Sequence, residues 1–240
     1  MRVISLGFRT DLALRVLEGA QITDCGDYLV IRSPTIRTTG GATSSCSPRH
    51  PNPGRAAPGW PGSPRSSRRP GTSPSAWTRT RSRCPRNSWP PPHLNTEAEI
   101  RPLGSDADWQ QSVDLAIRCF GAGDPGDYLE RRAAARRRLT RAGTGAWFGA
   151  FDGGRLVAQL GLFAVGDGYA RYQHVETDPA ARRQGLAGTL VWAAGRYGRE
   201  VLGASTLVIV AEPAGAAIRV YRACGFTARQ RQLSFDRPPF

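Results

Sequence analysis

Val175-Glu176-Thr177-Asp178-Pro179-Ala180-Ala181-Arg182-Arg183-Gln184-Gly185-Leu186-Ala187-Gly188-Thr189-Leu190 is the stretch on which the reading of this chain turns. Val175 to Thr177 end a strand and Asp178-Pro179 break it. A helix follows, with apolar residues at Leu186, Leu190, Ala193, Ala194, Tyr197 and Val201, close to a period of about 3.6. The start of a helix leaves its first amide hydrogens without intrahelical partners and carries partial positive charge. Gly185 and Ala187 keep bulk away from those amides, and Arg182 and Arg183 add full charges. Such a turn can cradle a pyrophosphate.

The spacing Arg182-x-x-Gly185-x-Ala187, after a strand ending Val-x-Thr-x-Pro, resembles the acyl-CoA pyrophosphate loop of GCN5-related N-acetyltransferases (GNAT), with Arg183 and Gln184 at the variable positions. This resemblance implies an α/β fold: a mixed central sheet flanked by helices. It also implies acetyl-CoA as co-substrate, held by the strand backbone at Val175 and Thr177 and by the loop from Arg182 through Arg183, Gln184, Gly185 and Leu186 to Ala187. No metal is expected.

A second stretch, Ala216 to Phe226, puts Ala217, Val220, Tyr221 and Cys224 on one helix face. On periodicity alone Tyr221 is a core aromatic. It resembles the Ala-x-x-Leu-Tyr-x-x-x-Gly-Phe segment of the same family, with Val220 in the Leu place. The resemblance implies that the Tyr221 hydroxyl protonates the departing thiolate. An Asn common upstream in that family is replaced here by Pro213-Ala214-Gly215. An amine must lose a proton before it attacks an acyl carbon. Glu176 is the first candidate for that base and His174 the second; the alternative for both is a plain strand residue. Cys224 falls on the apolar helix face without an adjacent His, so it is not read as a nucleophile.

Composition narrows the classes. All 33 basic residues are Arg, against 19 acids, a net charge of +14. The excess is local: residues 33–95 hold ten Arg and no acid, and 13 of the 19 Pro. Five Cys (25, 46, 84, 119, 224) and three His (50, 93, 174) show neither zinc-site nor disulfide spacing. No apolar run reaches the roughly 18 residues of a membrane span, so a soluble cytoplasmic protein without a membrane partner is expected.

Three regions follow. Residues 1–32 are read as remnant N-terminal strands, Leu12 to Leu17 and Tyr28 to Ile31, with a helix an alternative for the first. Ser5 to Leu12 resembles the opening of larger family members that carry an extra N-terminal domain. Residues 33–95 read as a disordered Arg/Pro/Ser-rich segment, too poor in apolar residues to offset chain entropy. Its Trp60, Trp77 and Trp89 between Arg clusters suit base stacking, a nucleic-acid reading that ranks below the enzyme. A frame-shifted segment is the best account of its composition. Ile36 to Ser47 can be encoded so that another phase reads Trp-Trp-Gly-Asn, and the same phase at Trp77 to Pro85 restores acids.

Residues 96–240 form the acetyltransferase domain. Its expected order is β-α-α-β-β-β-α-β-α-β, with strands at Glu99 to Leu103, Ala146 to Phe151, Arg155 to Val165, Tyr169 to Thr177, Thr206 to Ala211 and Phe226 to Phe235. Helices are expected from Asp106 to Phe120, after Asp124-Pro125 to Thr140, from Leu186 to Leu202 and from Ala216 to Cys224. Arginines on the second helix read as a solvated face or as a basic wall favouring an acidic acceptor. The function that follows is acetyl transfer from acetyl-CoA to the amine of a small molecule or peptide. A catalytically silent acyl-CoA-binding protein is the alternative.

Overall fold

The computed structural model describes residues 5–26, 28–38, 41–48, 75–80, 90–120, 126–212 and 215–231. The chain opens with α1 (Leu6–Leu17), followed by β1 (Gln21–Asp24), β2 (Tyr28–Thr38) and β3 (Gly41–Pro48), which form a three-stranded antiparallel sheet in that order. Leu12 to Leu17, read first as a strand, are helical. Ser5 caps the helix by accepting from the Phe8 amide, and Leu12 and Leu14 supply buried side chains. Nor is this helix isolated from the rest. Arg171 Nη1 donates to the Gly7 carbonyl (3.0 Å) and Thr10 Oγ1 (3.1 Å), and Arg9 pairs with Asp167 at 2.8 Å.

Ten further elements build the main body: β4 (Ser75–Thr80), β5 (Glu99–Pro102), α2 (Asp106–Phe120), α3 (Gly126–Arg141), β6 (Gly145–Asp152), β7 (Arg155–Ala164), β8 (Tyr169–Thr177), α4 (Leu186–Glu200), β9 (Thr206–Ala211) and α5 (Ala217–Ala223). The last strand is β10 (Thr227–Arg231). A seven-stranded sheet runs β10-β4-β9-β8-β7-β6-β5, with β8 and β9 parallel and every other pair antiparallel. From β5 onward the expected element order holds. Two strands, β3 and β4, fall inside the stretch read as a linker, and β4 pairs with β9 and β10 on either side. Trp60, Trp89, most of that linker and the end of the expected last strand lie outside the described residues.

Two apolar clusters cover the sheet's opposite faces, as the two-residue alternation of strands requires. On one, Leu186, Leu190, Val191 and Ala194 of α4 pack with Ile218 and Tyr221 of α5 against Leu160, Leu162 and Tyr172. On the other, α2 and α3 place Trp109, Val113, Leu129 and Leu139 against Trp147, Phe151, Leu156 and Phe163, and Leu14 of α1 joins them. No described helix is long and apolar enough to cross a membrane.

The start of α2 is held by a charged cap. The Asp108 carboxylate accepts from the amides of Gly104 (2.9 Å) and Ser105 (3.1 Å) and from both Arg101 terminal nitrogens (2.8 and 2.9 Å). Ser105 Oγ accepts in return from the Asp108 amide. Hydrogen bonding to Arg101, against the cost of burial, holds the Asp108 carboxyl well below its ordinary range. Asp108→Ala is therefore expected to cost about 2 kcal/mol, read from urea unfolding at neutral pH. The folded value is depressed, so the stabilisation is complete above an unfolded value of about 3.9 and disappears as pH falls toward the folded one. An unchanged unfolding midpoint in the variant would show that this cap contributes nothing.

Candidate functional site

The site begins where two parallel strands part. β8 and β9 pair only at Tyr169↔Thr206, Ala170↔Leu207 and Arg171↔Val208; β8 then runs on to Thr177 beside β7 alone. A bulge accompanies the parting: Gly161 faces Gln173 but Gln159 faces Glu176, so β8 carries one extra residue there. His174 takes it up with φ 44°, in the left-handed region. After the bulge Val175 packs against the α4 and α5 core, while Glu176 is buried against Gln159.

Beyond Thr177 the chain makes a single 3-10 turn, Pro179–Ala181, capped by Asp178, whose side chain accepts from the Ala180 amide at 3.0 Å. Asp178 is buried and also accepts from Arg118 Nε (2.8 Å) and Arg155 Nη2 (3.0 Å). Burial alone would raise its carboxyl; the Ala180 amide and Arg118 outweigh that and lower it. Arg183 (φ 65°) and Gly185 (φ 78°) are left-handed, and α4 starts after Gly185 with no side-chain cap. Left-handed residues alternating in a turn bring successive amide hydrogens to one side. Arg182, Arg183 and Gln184 are exposed, so the turn faces solvent and is not buried in the core.

A strap from outside the expected domain holds the other side of this turn. Asn95 donates its backbone amide to Thr189 Oγ1 (2.8 Å) and Nδ2 to the Gln184 carbonyl (3.0 Å), while its Oδ1 accepts from Ala98 N (2.8 Å). A Cβ on Gly185 would lie 2.6 Å from the His93 carbonyl oxygen, and one on Gly188 would touch Pro91. Asn95 was missing from the sequence reading because its role depends on partners about ninety positions away. No local pattern marks it.

Tyr221 sits on the α4 and α5 face, 4% exposed, its ring edge-on to Phe226. Burial foremost, and Cys224 beside it, raise the hydroxyl above its ordinary value, so it stays protonated at neutral pH. Glu176 is 7% exposed and belongs to the other face. Its Oε2 accepts from Gln159 Nε2 (2.6 Å), and Gln159 Oε1 accepts from Ser112 Oγ (2.5 Å) and Trp147 Nε1 (2.9 Å). Burial raises the Glu176 carboxyl, and Arg136, Gln159 and Arg132 oppose the rise. His174 Nδ1 lies 3.9 Å from Glu176 Oε1 and 3.0 Å from Arg132 Nη2. About a third of the ring still meets solvent (35%), yet desolvation first, then Arg136 and Arg132, hold it well below its ordinary value and thus neutral.

The remaining candidates sort readily. Cys224 is buried, its thiol toward the Gly188 carbonyl; Cys119 is pushed up to about 11 by burial and then Glu176, so it is not a thiolate at neutral pH. No metal-binding group of His, Cys, Asp and Glu occurs among the described residues. The arginines of α3 are not one solvated face: Arg136 is buried and Arg132 meets His174. Their spacing of four was the sequence signal for a shared face.

Residues 109–226 match the acetyltransferase (GNAT) family. This domain belongs to the GNAT family. Among solved structures, a GCN5-related N-acetyltransferase from Kribbella flavida aligns over 95% of both chains at 13% identity, TM-score 0.59. Another from Sphaerobacter thermophilus aligns over 69% of this chain at 18% identity, TM-score 0.54; this chain spans about half (51%) of its length. A GNAT-family acetyltransferase from Colwellia psychrerythraea gives 16% identity over 69% of this chain and 57% of its own, TM-score 0.52. At these identities the likeness is one of fold. No curated protein matches the sequence.

Gln159 is the joint of the Glu176 network, and its loss has a calculable direction. Gln159→Leu would leave Ser112, Trp147 Nε1 and Glu176 Oε2 without their partner, expected to cost about 3 kcal/mol by chemical unfolding. Wild-type stability in that variant would mean that water replaces the amide without loss.

Proposed function

We propose that the domain transfers an acetyl group from acetyl-CoA to a primary amine by direct attack. The observation that carries this reading is the exposed turn with left-handed Arg183 and Gly185, which opens an uncapped helix beside the parted strands β8 and β9. The backbone of Arg183, Gln184, Gly185, Leu186 and Ala187 would hold the pyrophosphate, with the Arg182 and Arg183 side chains adding charge. Val175 and Thr177 amides would meet the pantetheine arm and the acyl oxygen. The chemistry supplied by the co-substrate is an activated thioester carbonyl.

The chain's own groups do the rest. Glu176 accepts the proton of the incoming amine, directly or through the half-exposed His174 ring. The amine nitrogen forms a bond to the acyl carbon as the carbon–sulfur bond breaks. Tyr221, kept protonated by burial, gives its proton to the departing sulfur. Glu176 and Tyr221 approach from opposite faces of the sheet, which suits an acceptor and a donor that enter from opposite sides of the gap.

Coenzyme A binding measured by calorimetry tests the cradle. Ala187→Glu places bulk and negative charge at the turn and should abolish binding. Asn95→Ala, which frees the turn from its strap, should weaken it about tenfold. Gly185 is the poorer probe, because any side chain there meets the His93 carbonyl. Undiminished affinity in Ala187→Glu would remove the turn from the site.

The pH profile of thiol release tests the base. Glu176 works only when ionised and its carboxyl is raised by burial, so kcat/KM should climb with pH through an acid limb above the ordinary carboxylate range. Glu176→Gln should lose that limb and about 10²–10⁴ of the rate. An acid limb that persists in Glu176→Gln assigns it to another group.

A further inference from the structure

The site holds two buried atoms of opposite charge that have nothing to bind. Arg136 is 5% exposed, and its Nη2 has no hydrogen-bond partner. Its guanidinium lies over the Trp147 ring, 4.1 Å from the centroid. Stacking occupies the face of the guanidinium and leaves its donor edge free. Across from it, Glu176 uses Oε2 on Gln159 while Oε1 has no hydrogen bond. Buried charged atoms without partners are costly, and each one in a native structure calls for a reason, such as a catalytic role or a bound polar group.

The charges around this point do not balance. Arg15, Arg132, Arg136 and Arg171 gather near His174, against Asp11, Glu18 and Glu176. Arg15 and Arg171 share Asp11, at 2.9 and 3.8 Å. Glu18 of α1 faces Arg136 and Arg132, so the N-terminal helix contributes to the same cluster. Among the described residues, four cations stand against three anions there, in surroundings that screen poorly. The His174 ring is the part of the cluster that solvent reaches, next to the open end of β8.

We propose that the acceptor is a free amino acid: an amine with a carboxylate in the same small molecule, the carboxylate bound by Arg136 and the amine by Glu176. This rests on the acyl-transfer reading above. The ligand's carboxylate meets the unpaired Arg136 nitrogen and its amine the vacant Glu176 oxygen, so both charges are paired and no net charge is added. A polyamine would add positive charge where there is already too much. A peptide N-terminus offers a neutral amide beside its amine and would leave Arg136 unpaired. Arg136 is thus a specificity-determining residue, with Arg132 four positions earlier on the same helix face holding His174 in place.

Matched acceptors decide the question without any mutation. Thiol release from acetyl-CoA by the full chain would be followed with each of the twenty common L-amino acids and with its α-amide, a neutral isostere. The amides are less basic and more of their amine is free at pH 8, so any bias from basicity favours them. A charged pair of hydrogen bonds predicts that the preferred amino acid exceeds its amide about ten- to hundred-fold in kcat/KM. In Arg136→Gln that ratio should fall to about one, and Arg136→Lys, which keeps the charge but not the planar fork, should restore part of it. Amides used as well as acids would overturn the proposal and leave acyl transfer standing. No thiol release with any amine, while coenzyme A still binds, would overturn the acyl-transfer reading and this one with it.

Discussion

A helix that starts without a cap needs another anchor for its first turn, and in this protein the anchor is the buried carboxylate of Asp178. It ties the end of β8 to Arg118 of α2, to Arg155 of β7 and to the Ala180 amide, and its own amide donates to the Val157 carbonyl. Asn95 fixes the far side of the turn through Gln184 and Thr189. Between these anchors Arg182, Arg183 and Gln184 are exposed. The turn is thus held at both ends by hydrogen bonds of the chain itself.

The sheet sets Tyr221 and Glu176, the acid and base of the proposed reaction, on opposite faces. On the α4 and α5 face an apolar surround keeps the Tyr221 proton in place. The α2 and α3 face buries Glu176 among Gln159, Ser112 and a group of arginines. β8 parts from β9 after Arg171 and leaves a gap, and the bulge at His174 lies on the part of β8 beside it. A continuous parallel ladder would have sealed it with backbone hydrogen bonds.

Much of this was readable in the residues themselves. The continuous apolar run at Ala146 to Phe151 and the helical period from Leu186 to Val201 announce their elements because side-chain direction follows from local backbone geometry. Gly185 announces a left-handed turn for the same local reason. The first apolar run misled: Leu12 to Leu17 fits either period, and only the Ser5 cap and the docking of α1 on Arg171 make it a helix. Strand β4 was not legible either. Its place between β9 and β10 follows from backbone pairing across more than a hundred residues of sequence, which leaves no local periodicity to read.

The sequence by itself determined the strand–turn–helix around Arg182 to Ala187 and the order of elements after residue 96. Tertiary structure alone decided which arginine of α3 is buried, that Asn95 straps the turn, and that Gln159 joins Glu176 to Trp147. Backbone conformation is set within a few residues, so it leaves a local trace. Burial and hydrogen-bond partnership are set by groups distant in the chain, and for them an arginine in water and an arginine over a tryptophan ring are written alike.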